Sequence, residues 1–558
     1  MEKIWLKSYP PGVPAEIDWK QHRSVGELFQ KNCALFGDRP AYHNMGATIS
    51  FRELEQQSAA FGAWLQGMGL ARGARVALMM PNCLQFPICI FGTLRAGCTV
   101  VNVNPLYTPR ELEYQLKDSG AEVIVILENF AHVLQQVKAA TQVKHVVVAS
   151  LGDRLGFMGV IVNFVVRHLQ RLVPAWNIPG ALRFNALMEE GAGRSLKPVE
   201  VGPDDVAFLQ YTGGTTGVSK GATLLHRNIL ANLEQAAAWV HPFVLEREDQ
   251  VIITALPLYH IFSLTANCLL MLKLGGLNVL ITNPRDMAGF VKELRKHRFT
   301  MFTGVNTLFN GLLNQPGFSR VDFSALRVTL GGGMAVQKVV ADRWKEATGC
   351  TLVEAYGLSE TSPAATINPL DMKEYNGAIG LPVPSTDISI RDDEGREVAQ
   401  GEAGEICIRG PQVMAGYWNQ PESTATAMTA DGYFKSGDLG IMDDKGYIRL
   451  VDRKKDMLKV SGFNVYPNEI EAVVAAHPGV LECAAIGIPD EHSGEAVKLF
   501  VVKKDPGLTE EALRKYCHDN FTGYKRPKVI EFRTELPKTN VGKILRRALR
   551  DETVGSPK

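Results

Sequence analysis

Short apolar runs alternate with helical patterns through most of the chain. Three consecutive pairs are RVALMM with LQFPICIFGTLRAG, CTVVNV with TPRELEYQLKDSG, and AEVIVIL with FAHVLQQVKAA. Strand patterns that alternate with helical patterns are typical of right-handed crossovers between parallel strands. The pattern therefore predicts an α/β fold with layered, mostly parallel sheets.

The pattern changes near Gly380. Residues 380–452 contain ISIRDDEGREV, GEICIRG and GYIRLVDRKKD, which predict a small β-rich subdomain because turn signals separate the strands at short intervals. After Lys455 the remaining residues, roughly a hundred, have the pattern and size of a compact α+β domain. We predict a large N-terminal domain over residues 1–452 and a small C-terminal domain over residues 453–558, joined at a charged run.

Composition narrows the classes of function. Of the 558 residues, 60 are Lys or Arg and 59 are Asp or Glu, so charge gives no reason to expect a nucleic-acid partner. The nine cysteines are scattered without a C-x-x-C pair, and we expect reduced, mostly buried thiols in a cytoplasmic protein. The N-terminal residues lack the apolar core of a signal peptide.

The segment 156–176 is more apolar than its surroundings. Its apolar run ends at Val166 and is followed by Arg167, His168 and Arg171, so it is shorter than the about twenty residues that span a bilayer. An internal packing helix is the favoured interpretation. The alternative is an amphipathic helix that lies peripherally on the inner face of the membrane.

A polar loop between two strand patterns carries the first functional signal. Glycines in LQYTGGTTGVSKGA (209–222) let backbone N–H groups approach phosphate oxygens, hydroxyls add donors, and a lysine adds positive charge. The lysine precedes a glycine, which differs from the G-x-x-x-x-G-K-[ST] loop, and the following ATLL indicates a strand. The predicted phosphate-binding residues are Thr212, Gly213, Gly214, Thr215, Thr216, Gly217 and Lys220.

Eight stretches resemble, in order, the motifs of the adenylate-forming enzymes, a family that includes acyl-CoA synthetases, firefly luciferase and peptide-synthetase adenylation domains. They are YTGGTTGVSKGA (211–222), LPLYHIF (256–262), GGGM (331–334), YGLSET (356–361), SGDLG (436–440), DRKKD (452–456), SGFNVYPNEIE (461–471) and PKTNVGK (537–543). Passages such as VVNVNPLYTPRELEYQLKDSGA and TGVNTLFNGLL resemble bacterial long-chain fatty acyl-CoA synthetases.

The resemblance implies a reaction in two steps. A fatty acid carboxylate attacks the α-phosphorus of ATP, which gives acyl-AMP and pyrophosphate. The thiol of coenzyme A then displaces AMP to give acyl-CoA. Fatty acid, ATP and CoA are the implied substrates, and Mg²⁺ is the implied metal ion.

The resemblance also implies roles in adenylate formation. Lys543 would reach the α-phosphate and the carboxylate oxygen from the small domain. Thr361 would contact the α-phosphate, and His260 would face the incoming carboxylate as a positioning group. Glu360 is the implied Mg²⁺ ligand, with Thr212 as a second oxygen donor.

Further motifs imply a nucleotide site on the large domain, with Arg453 contacting the ribose or phosphate from the domain junction. The ring of Tyr356 offers a flat face for adenine, and Asp438 has the chemistry to accept hydrogen bonds from both ribose hydroxyls. The implied nucleotide-binding residues are Gly331, Gly332, Gly333, Tyr356, Gly357, Asp438 and Arg453.

In the family the small domain is a mobile lid that turns about a hinge, which the resemblance places at Lys455. Such rotation lets one site present a lysine in the first step and a thiol in the second. The pantetheine arm of CoA would then lie beside Lys459, Ser461, Gly462 and Phe463.

Several alternatives stay open. The activity could be long-chain or medium-chain fatty acid–CoA ligation, or transfer from acyl-AMP to a carrier protein; a non-catalytic nucleotide-binding module at the membrane and a homodimer are further alternatives. The segment 431–455 departs from the common family form at Tyr433, Lys435 and Ser436, which leaves chain length open. An apolar acyl tunnel is expected between residues 229 and 313, with candidates Trp239, Phe262 and Leu308.

Overall fold

The computed structural model describes residues 2–212, 219–243, 249–539 and 541–554. Within these ranges the α-helices are α1 Val25–Phe36, α2 Phe51–Gly67, α3 Gln85–Arg95, α4 Pro109–Ser119, α5 Ala131–Val137, α6 Phe157–Phe164, α7 Phe184–Ala192, α8 His226–Val240, α9 Ile261–Ser263, α10 Leu270–Leu274, α11 Met287–Leu294, α12 Asn306–Leu313, α13 Lys338–Thr348, α14 Pro421–Ala427, α15 Pro467–Ala475, α16 Glu510–Asn520 and α17 Arg546–Val554.

The strands of the same ranges are β1 Pro40–Asn44, β2 Ala47–Ser50, β3 Arg75–Met79, β4 Thr99–Asn102, β5 Val123–Leu127, β6 His145–Ala149, β7 Leu182–Arg183, β8 Val206–Thr212, β9 Lys220–Leu225, β10 Val251–Thr254, β11 Leu277–Leu280, β12 Met301–Gly304, β13 Val328–Gly331, β14 Leu352–Gly357, β15 Ala364–Ile367, β16 Leu381–Pro382, β17 Asp387–Arg391, β18 Ala403–Arg409, β19 Gly416–Tyr417, β20 Phe434–Met442, β21 Ile448–Arg453, β22 Leu458–Val460, β23 Phe463–Val465, β24 Val480–Asp490, β25 Gly494–Lys503 and β26 Val529–Arg533.

Two large sheets form the first part of the chain. One has the order β19-β9-β8-β4-β3-β5-β6-β7 and is parallel from β8 to β7. The other has the order β16-β15-β14-β13-β12-β10-β11-β1-β2 and is parallel from β14 to β1. The predicted α/β architecture of layered, mostly parallel sheets is confirmed.

The local sequence explains why these elements form. Every residue of β5 is buried, which matches its unbroken apolar run. Helix α4 begins with a capping box between Thr108 and Glu111, has Pro109 in its first turn, and ends at Gly120 in the left-handed region (φ 61°). The predicted strand–helix pairs around both elements are confirmed.

Two smaller sheets follow. Strands β17, β18, β20 and β21 form an antiparallel sheet, and the five C-terminal strands are ordered β23-β22-β25-β24, with β26 parallel to β25. The C-terminal sheet has its own core, to which Ile470 and Val474 of α15 and Leu513 of α16 contribute. The β-rich unit and the α+β unit are therefore present, and the domain boundary at 452/453 stays a prediction.

The internal-packing interpretation of segment 156–176 is wrong. Helix α6 turns an apolar face to the solvent, where Phe157 is 81% and Val160 is 68% exposed. Phe164 is 54% exposed, one helical turn further on, and Leu169 is 68% exposed. A wide exposed apolar stripe on a helix marks an interaction surface. In the described residues, no helix is long and apolar enough to cross a membrane.

The cysteines follow the expectation for a reduced protein. All nine are free and buried: Cys33, Cys83, Cys89, Cys98, Cys268, Cys350, Cys407, Cys483 and Cys517. Burial raises the pKa of these thiols; that of Cys83, for example, rises to about 12.

Candidate active site

A cavity of about 2010 Å³ lies where the two large sheets meet the four-stranded sheet and the C-terminal domain. Many of its lining residues follow the carboxyl ends of β4, β8, β10, β12, β13 and β14. The carboxyl edge of parallel strands is the usual ligand site in open α/β sheets. The volume exceeds that of a pocket for one drug-sized molecule, about 300–1,000 Å³.

The cavity collects most of the predicted site residues. Those in its wall are Thr212, Lys220, His260, Gly332, Gly333, Tyr356, Gly357, Glu360, Asp438, Arg453, Lys455 and Lys543. Those away from the wall are Gly331, Thr361, Lys459, Ser461, Gly462 and Phe463. Five residues of the glycine-rich loop, Gly213, Gly214, Thr215, Thr216 and Gly217, lie outside the described residues.

Lys543 comes from the C-terminal domain and enters the cavity of the large domain. The turn that carries it is tied down because the hydroxyl of Thr307 donates to the Gly542 carbonyl at 2.8 Å. At Gly333 a Cβ atom would lie 3.0 Å from Lys543 Cε, so glycine leaves room for the lysine stem. The two domains thus build one site.

Burial and neighbouring charges set the pKa of the Lys543 ammonium. Its pKa is lowered to about 8, first because burial disfavours the charged ammonium and then because Arg453 is nearby. Asp438 and Glu360 act in the opposite direction. The ammonium is therefore still the main form at pH 7, but it loses its proton more easily than an exposed lysine.

Asp438 is a buried acceptor beside the predicted adenine platform. Its Oδ2 accepts a hydrogen bond from the Tyr356 hydroxyl at 2.7 Å, and its Oδ1 lies 3.3 Å from Arg453 Nε. Burial raises the pKa of this carboxyl, while Arg453 and Tyr356 oppose the rise. The strand pairing of β20 with β21 sets Asp438 directly opposite Arg453.

Glu360 lies in the cavity wall and is buried, 8% exposed. Its Oε1 accepts a hydrogen bond from the Tyr417 hydroxyl at 2.7 Å, and the ammonium of Lys220 lies over the Tyr417 ring, 5.0 Å from its centroid. Burial raises the pKa of Glu360, against the effect of the Tyr417 hydrogen bond. Because burial disfavours the charged carboxylate, a cation beside it would be favourable, and the oxygen atoms of Glu360 and Thr212, both in the cavity wall, are hard donors that fit Mg²⁺.

Tyr417 is a site residue that sequence reasoning missed. It lies 57 positions after Glu360, on β19, which pairs with β9 directly after the glycine-rich loop. Only this long-range strand pairing brings the ring between Lys220 and Glu360. The one local signal is the aromatic pair in the segment MAGYWNQP (414–421).

Thr361 and His260 support the site in different ways. Thr361 is fully buried, and its hydroxyl is bonded within its own turn to Leu358 and Pro363, so its contact to the α-phosphate stays a prediction. The Nδ1 atom of His260 accepts from the Phe262 backbone N–H at 3.3 Å. Burial and then Lys543 lower the pKa of His260 to about 3, so the ring is neutral at pH 7. A neutral imidazole suits the predicted positioning role.

The residues predicted for the pantetheine arm lie on the β22–β23 hairpin: Lys459 in β22, Ser461 and Gly462 in its turn, and Phe463 at the start of β23. Ser461 and Gly462 lie in the left-handed region, with φ of 50° and 83°. Phe463 is 55% exposed and stacks on Tyr524 at a centroid distance of 4.6 Å. The turn lies away from the cavity wall, so a CoA contact beside Lys543 requires a different domain pose.

An apolar branch of the cavity runs between the strands of the second large sheet and α8. Trp239 lies in its wall, and the indole N–H is fixed by a 3.0 Å hydrogen bond to the Asn368 carbonyl. Of the tunnel candidates, Phe262 also lines the cavity, whereas Leu308 does not. Other members of the branch are Ile252, Leu270, Met301, Phe302 and Val328.

A separate cluster of His43, Glu293 and His297 has ligand atoms within 4.8 Å of one another. Glu293 Oε1 lies 3.0 Å from His297 Nε2, and Oε2 lies 2.7 Å from the Lys296 ammonium. These neighbours satisfy the carboxylate, so hydrogen bonds account for the cluster. It is not part of the cavity wall.

Two protein-family models match the chain. The model of the AMP-binding enzyme family matches residues 29–418, and that of the AMP-binding enzyme C-terminal domain matches residues 469–543. The chain belongs to the AMP-binding enzyme family. The resemblance to adenylate-forming enzymes is thereby confirmed.

Relatives in this family match the whole chain. It is 58% identical over 556 residues to a long-chain-fatty-acid–CoA ligase of Yersinia pestis, covering 99% of each chain. It is 56% identical over 557 residues to one of Escherichia coli O157:H7, covering 100% of this chain and 99% of that protein. In fold it is similar to the anthranilate CoA ligase AuaEII in complex with anthranoyl-AMP, with a TM-score of 0.84, 26% identity, and coverage of 97% and 98% of the two chains.

Proposed function

We propose that the protein is an AMP-forming long-chain fatty acid–CoA ligase. The observation that carries the proposal is Lys543, which reaches from the C-terminal domain into a cavity that holds Glu360, Asp438 and an apolar branch. Identity of 56–58% over the whole chain to proteins with this activity supports the same assignment. ATP, CoA and a fatty acid are its substrates.

In the first step the fatty acid carboxylate and the α-phosphate of ATP, both anionic, must approach each other. Lys543 neutralises the charge that accumulates between them, in a site where burial strengthens its effect. His260 orients the carboxylate without adding a second positive charge. Asp438 holds the ribose, and the apolar branch beside Trp239 holds the acyl chain.

Mg²⁺ bound at Glu360 and Thr212 would neutralise phosphate charge. Tyr417 keeps the Glu360 carboxylate in place through its hydrogen bond. Lys220, over the same ring, sets a further positive charge at the phosphate end of the cavity.

In the second step CoA must reach the carbonyl that Lys543 covers. Rotation of the C-terminal domain about Lys455 removes the lysine and brings in the turn with Lys459, Gly462 and Phe463. Phe463 stacks on Tyr524 but stays 55% exposed, so it presents surface for contact with the pantetheine arm. The part of the predicted C-terminal domain (453–558) that follows Lys455 would then move, while β21 stays with the predicted N-terminal domain (1–452).

The reaction is tested with purified protein, ATP, Mg²⁺ and fatty acids from about C6 to C18, a span chosen to bracket the depth of the apolar branch. Mass spectrometry follows acyl-AMP and acyl-CoA with and without CoA. We expect CoA-dependent acyl-CoA with a maximum at long chains. A maximum at medium chains would correct the substrate class, and acyl-AMP that persists with CoA would indicate a carrier-protein acceptor.

The lowered pKa of Lys543 predicts the alkaline limb of the pH profile. Because the ammonium is needed, kcat/KM for ATP in adenylate formation should fall as pH rises through about 8, the pKa in the free protein. Lys543→Arg keeps the charge at high pH and should remove this limb, although it lowers the maximum. Pyrophosphate exchange measured across the pH range checks this. A wild-type profile that stays flat through this region would contradict it.

We also propose that α6 binds an anionic membrane surface peripherally. Phe157, Val160 and Phe164 form one exposed stripe, and the basic Arg171 follows it in the chain. Burial of such side chains in the acyl boundary, with cations at the headgroups, is typical of interfacial helices. The location brings the enzyme to the membrane, where its lipid substrate partitions.

Substitution of the stripe tests membrane binding. Phe157→Ser with Phe164→Ser should weaken sedimentation with phosphatidylglycerol vesicles by about tenfold or more, since each large apolar side chain contributes about 1.5–3 kcal/mol on full burial. Leu35→Ser, at a position that is 72% exposed elsewhere, is the matched control. Equal vesicle binding by the double variant would refute the proposal. A dimer that dissociates on the same double substitution would assign the stripe to a homodimer instead.

A further inference from the structure

Asp452, three residues before the proposed hinge, is completely buried although it is charged. Its Oδ2 accepts a hydrogen bond from the backbone N–H of Asn468 at 2.8 Å, in the first turn of α15. Its Oδ1 lies 3.5 Å from Arg546 Nη1 and accepts from the neighbouring Arg453 N–H at 2.7 Å. Two of these three donors lie beyond Lys455 in the chain.

Arg546 is held rigidly inside the C-terminal domain. Its guanidinium makes a bidentate contact with Glu471 on α15, with distances of 2.9 Å and 2.7 Å. It also donates to the Asn468 side chain. Arg546 begins α17 and follows Lys543 by three residues, so its position fixes where the lysine turn lies.

We propose that Asp452 is a positioning residue that latches the C-terminal domain in the pose with Lys543 inside the cavity. The inference rests on the proposed function, because it assigns the latch to the adenylate-forming step. When the domain turns about Lys455, Arg546, Glu471 and Asn468 travel together, whereas Asp452 stays with β21. The two contacts of Asp452 across the hinge are therefore made in one pose and lost in the other.

The charge state of Asp452 suits this role. Burial raises its pKa to about 6, against the opposing effects of Arg546 and the N–H groups of Asn468 and Arg453; Glu471 contributes to the rise. The carboxylate is therefore mostly ionised at neutral pH. Buried ion pairs fix geometry more than they add net stability, because desolvation offsets the attraction. The latch thus sets which pose is populated.

Separate assays of the two half-reactions test the latch. Adenylate formation is followed by pyrophosphate exchange, and the second step by conversion of supplied acyl-AMP with CoA. We expect Asp452→Asn to slow the first by about tenfold and Asp452→Ala by up to about a hundredfold, the range of lost charge-assisted hydrogen bonds. The second step should stay unchanged or become faster.

Asp456→Asn is the matched control. Asp456 also contacts Arg546 and pairs with Arg550, but it lies on the same side of Lys455 as both arginines. It should therefore change both half-reactions by the same factor. Thermal denaturation of Asp452→Asn, which keeps the side-chain shape, checks that the fold is intact.

Particular results of the half-reaction assays would refute the latch proposal. Equal loss of both half-reactions in Asp452→Ala, or no loss of either, would refute the latch. Wild-type protein that forms no acyl-AMP would instead refute the proposed function. A double variant of Asp452→Asn with Arg546→Gln should lose less adenylation activity than the two single losses combined, because the pair acts as a unit. Independent effects would refute the pairing.

Discussion

Lys543→Ala should reduce adenylate formation by about 10²- to 10³-fold, the loss typical of one preorganised electrostatic group at a reacting centre. The lysine is buried among Arg453, Asp438 and Glu360, where water does not replace a missing ammonium efficiently. Conversion of supplied acyl-AMP to acyl-CoA should be retained, because the proposed second pose withdraws this residue. Pyrophosphate exchange and acyl-CoA formation from acyl-AMP measure the two steps.

The matched control for this prediction is Lys504→Ala, an exposed lysine of the same domain. It should leave both half-reactions at the wild-type rate. Full adenylation activity in Lys543→Ala would contradict the role proposed for the lysine. Loss of both steps together would show that the residue maintains the domain and not the reaction.

Glu360→Gln should reduce kcat/KM for MgATP by about 10²- to 10³-fold, since it removes a buried negative charge at the place proposed for the metal and phosphates. The glutamine has nearly the same shape and still accepts the Tyr417 hydrogen bond, so the loss isolates the charge. The activity that remains should need a higher Mg²⁺ concentration. Pyrophosphate exchange over a Mg²⁺ series checks this.

Glu354→Gln is the control for Glu360. Glu354 is buried in the same cavity wall, where it accepts from the Val336 N–H at 3.1 Å and the Tyr375 hydroxyl at 3.0 Å. The Mg²⁺ dependence of this variant should match wild type. A similar shift in both variants would mean that general charge in the cavity, and not a metal ligand, causes the effect.

Local pattern predicts much of this fold. The cap residues and the apolar period of Pro109–Ser119 predict its helix. The apolar run directly after the glycine-rich loop predicts the strand Lys220–Leu225. Such signals depend only on neighbours in the chain. They suffice for the class of fold and the order of its elements.

Features that depend on contacts between residues distant in the chain could not be predicted from local sequence. The pattern of 156–176 is apolar whether the helix packs inside or faces solvent, so its exposure depends on what the rest of the chain covers. Tyr417 and Asp452 gain their importance only because strand pairing and the closed domain pose bring distant partners to them. Lys543 is predicted only through the family resemblance, since a single lysine carries no local pattern that marks it as buried or functional.

The buried cysteines have a consequence for a protein that makes acyl-AMP. An acyl adenylate is an electrophile that acylates any accessible thiolate, and the thiolate is the reactive form of cysteine. All nine cysteines are buried, and burial keeps their thiols protonated; the pKa of Cys268, in the hydrophobic core of the large domain, rises to about 12. Even Cys483, which lies in the cavity wall, is buried with its thiol pKa raised well above the usual value. The incoming CoA therefore meets little competition from thiolates of its own enzyme, and self-acylation is suppressed without a dedicated shield.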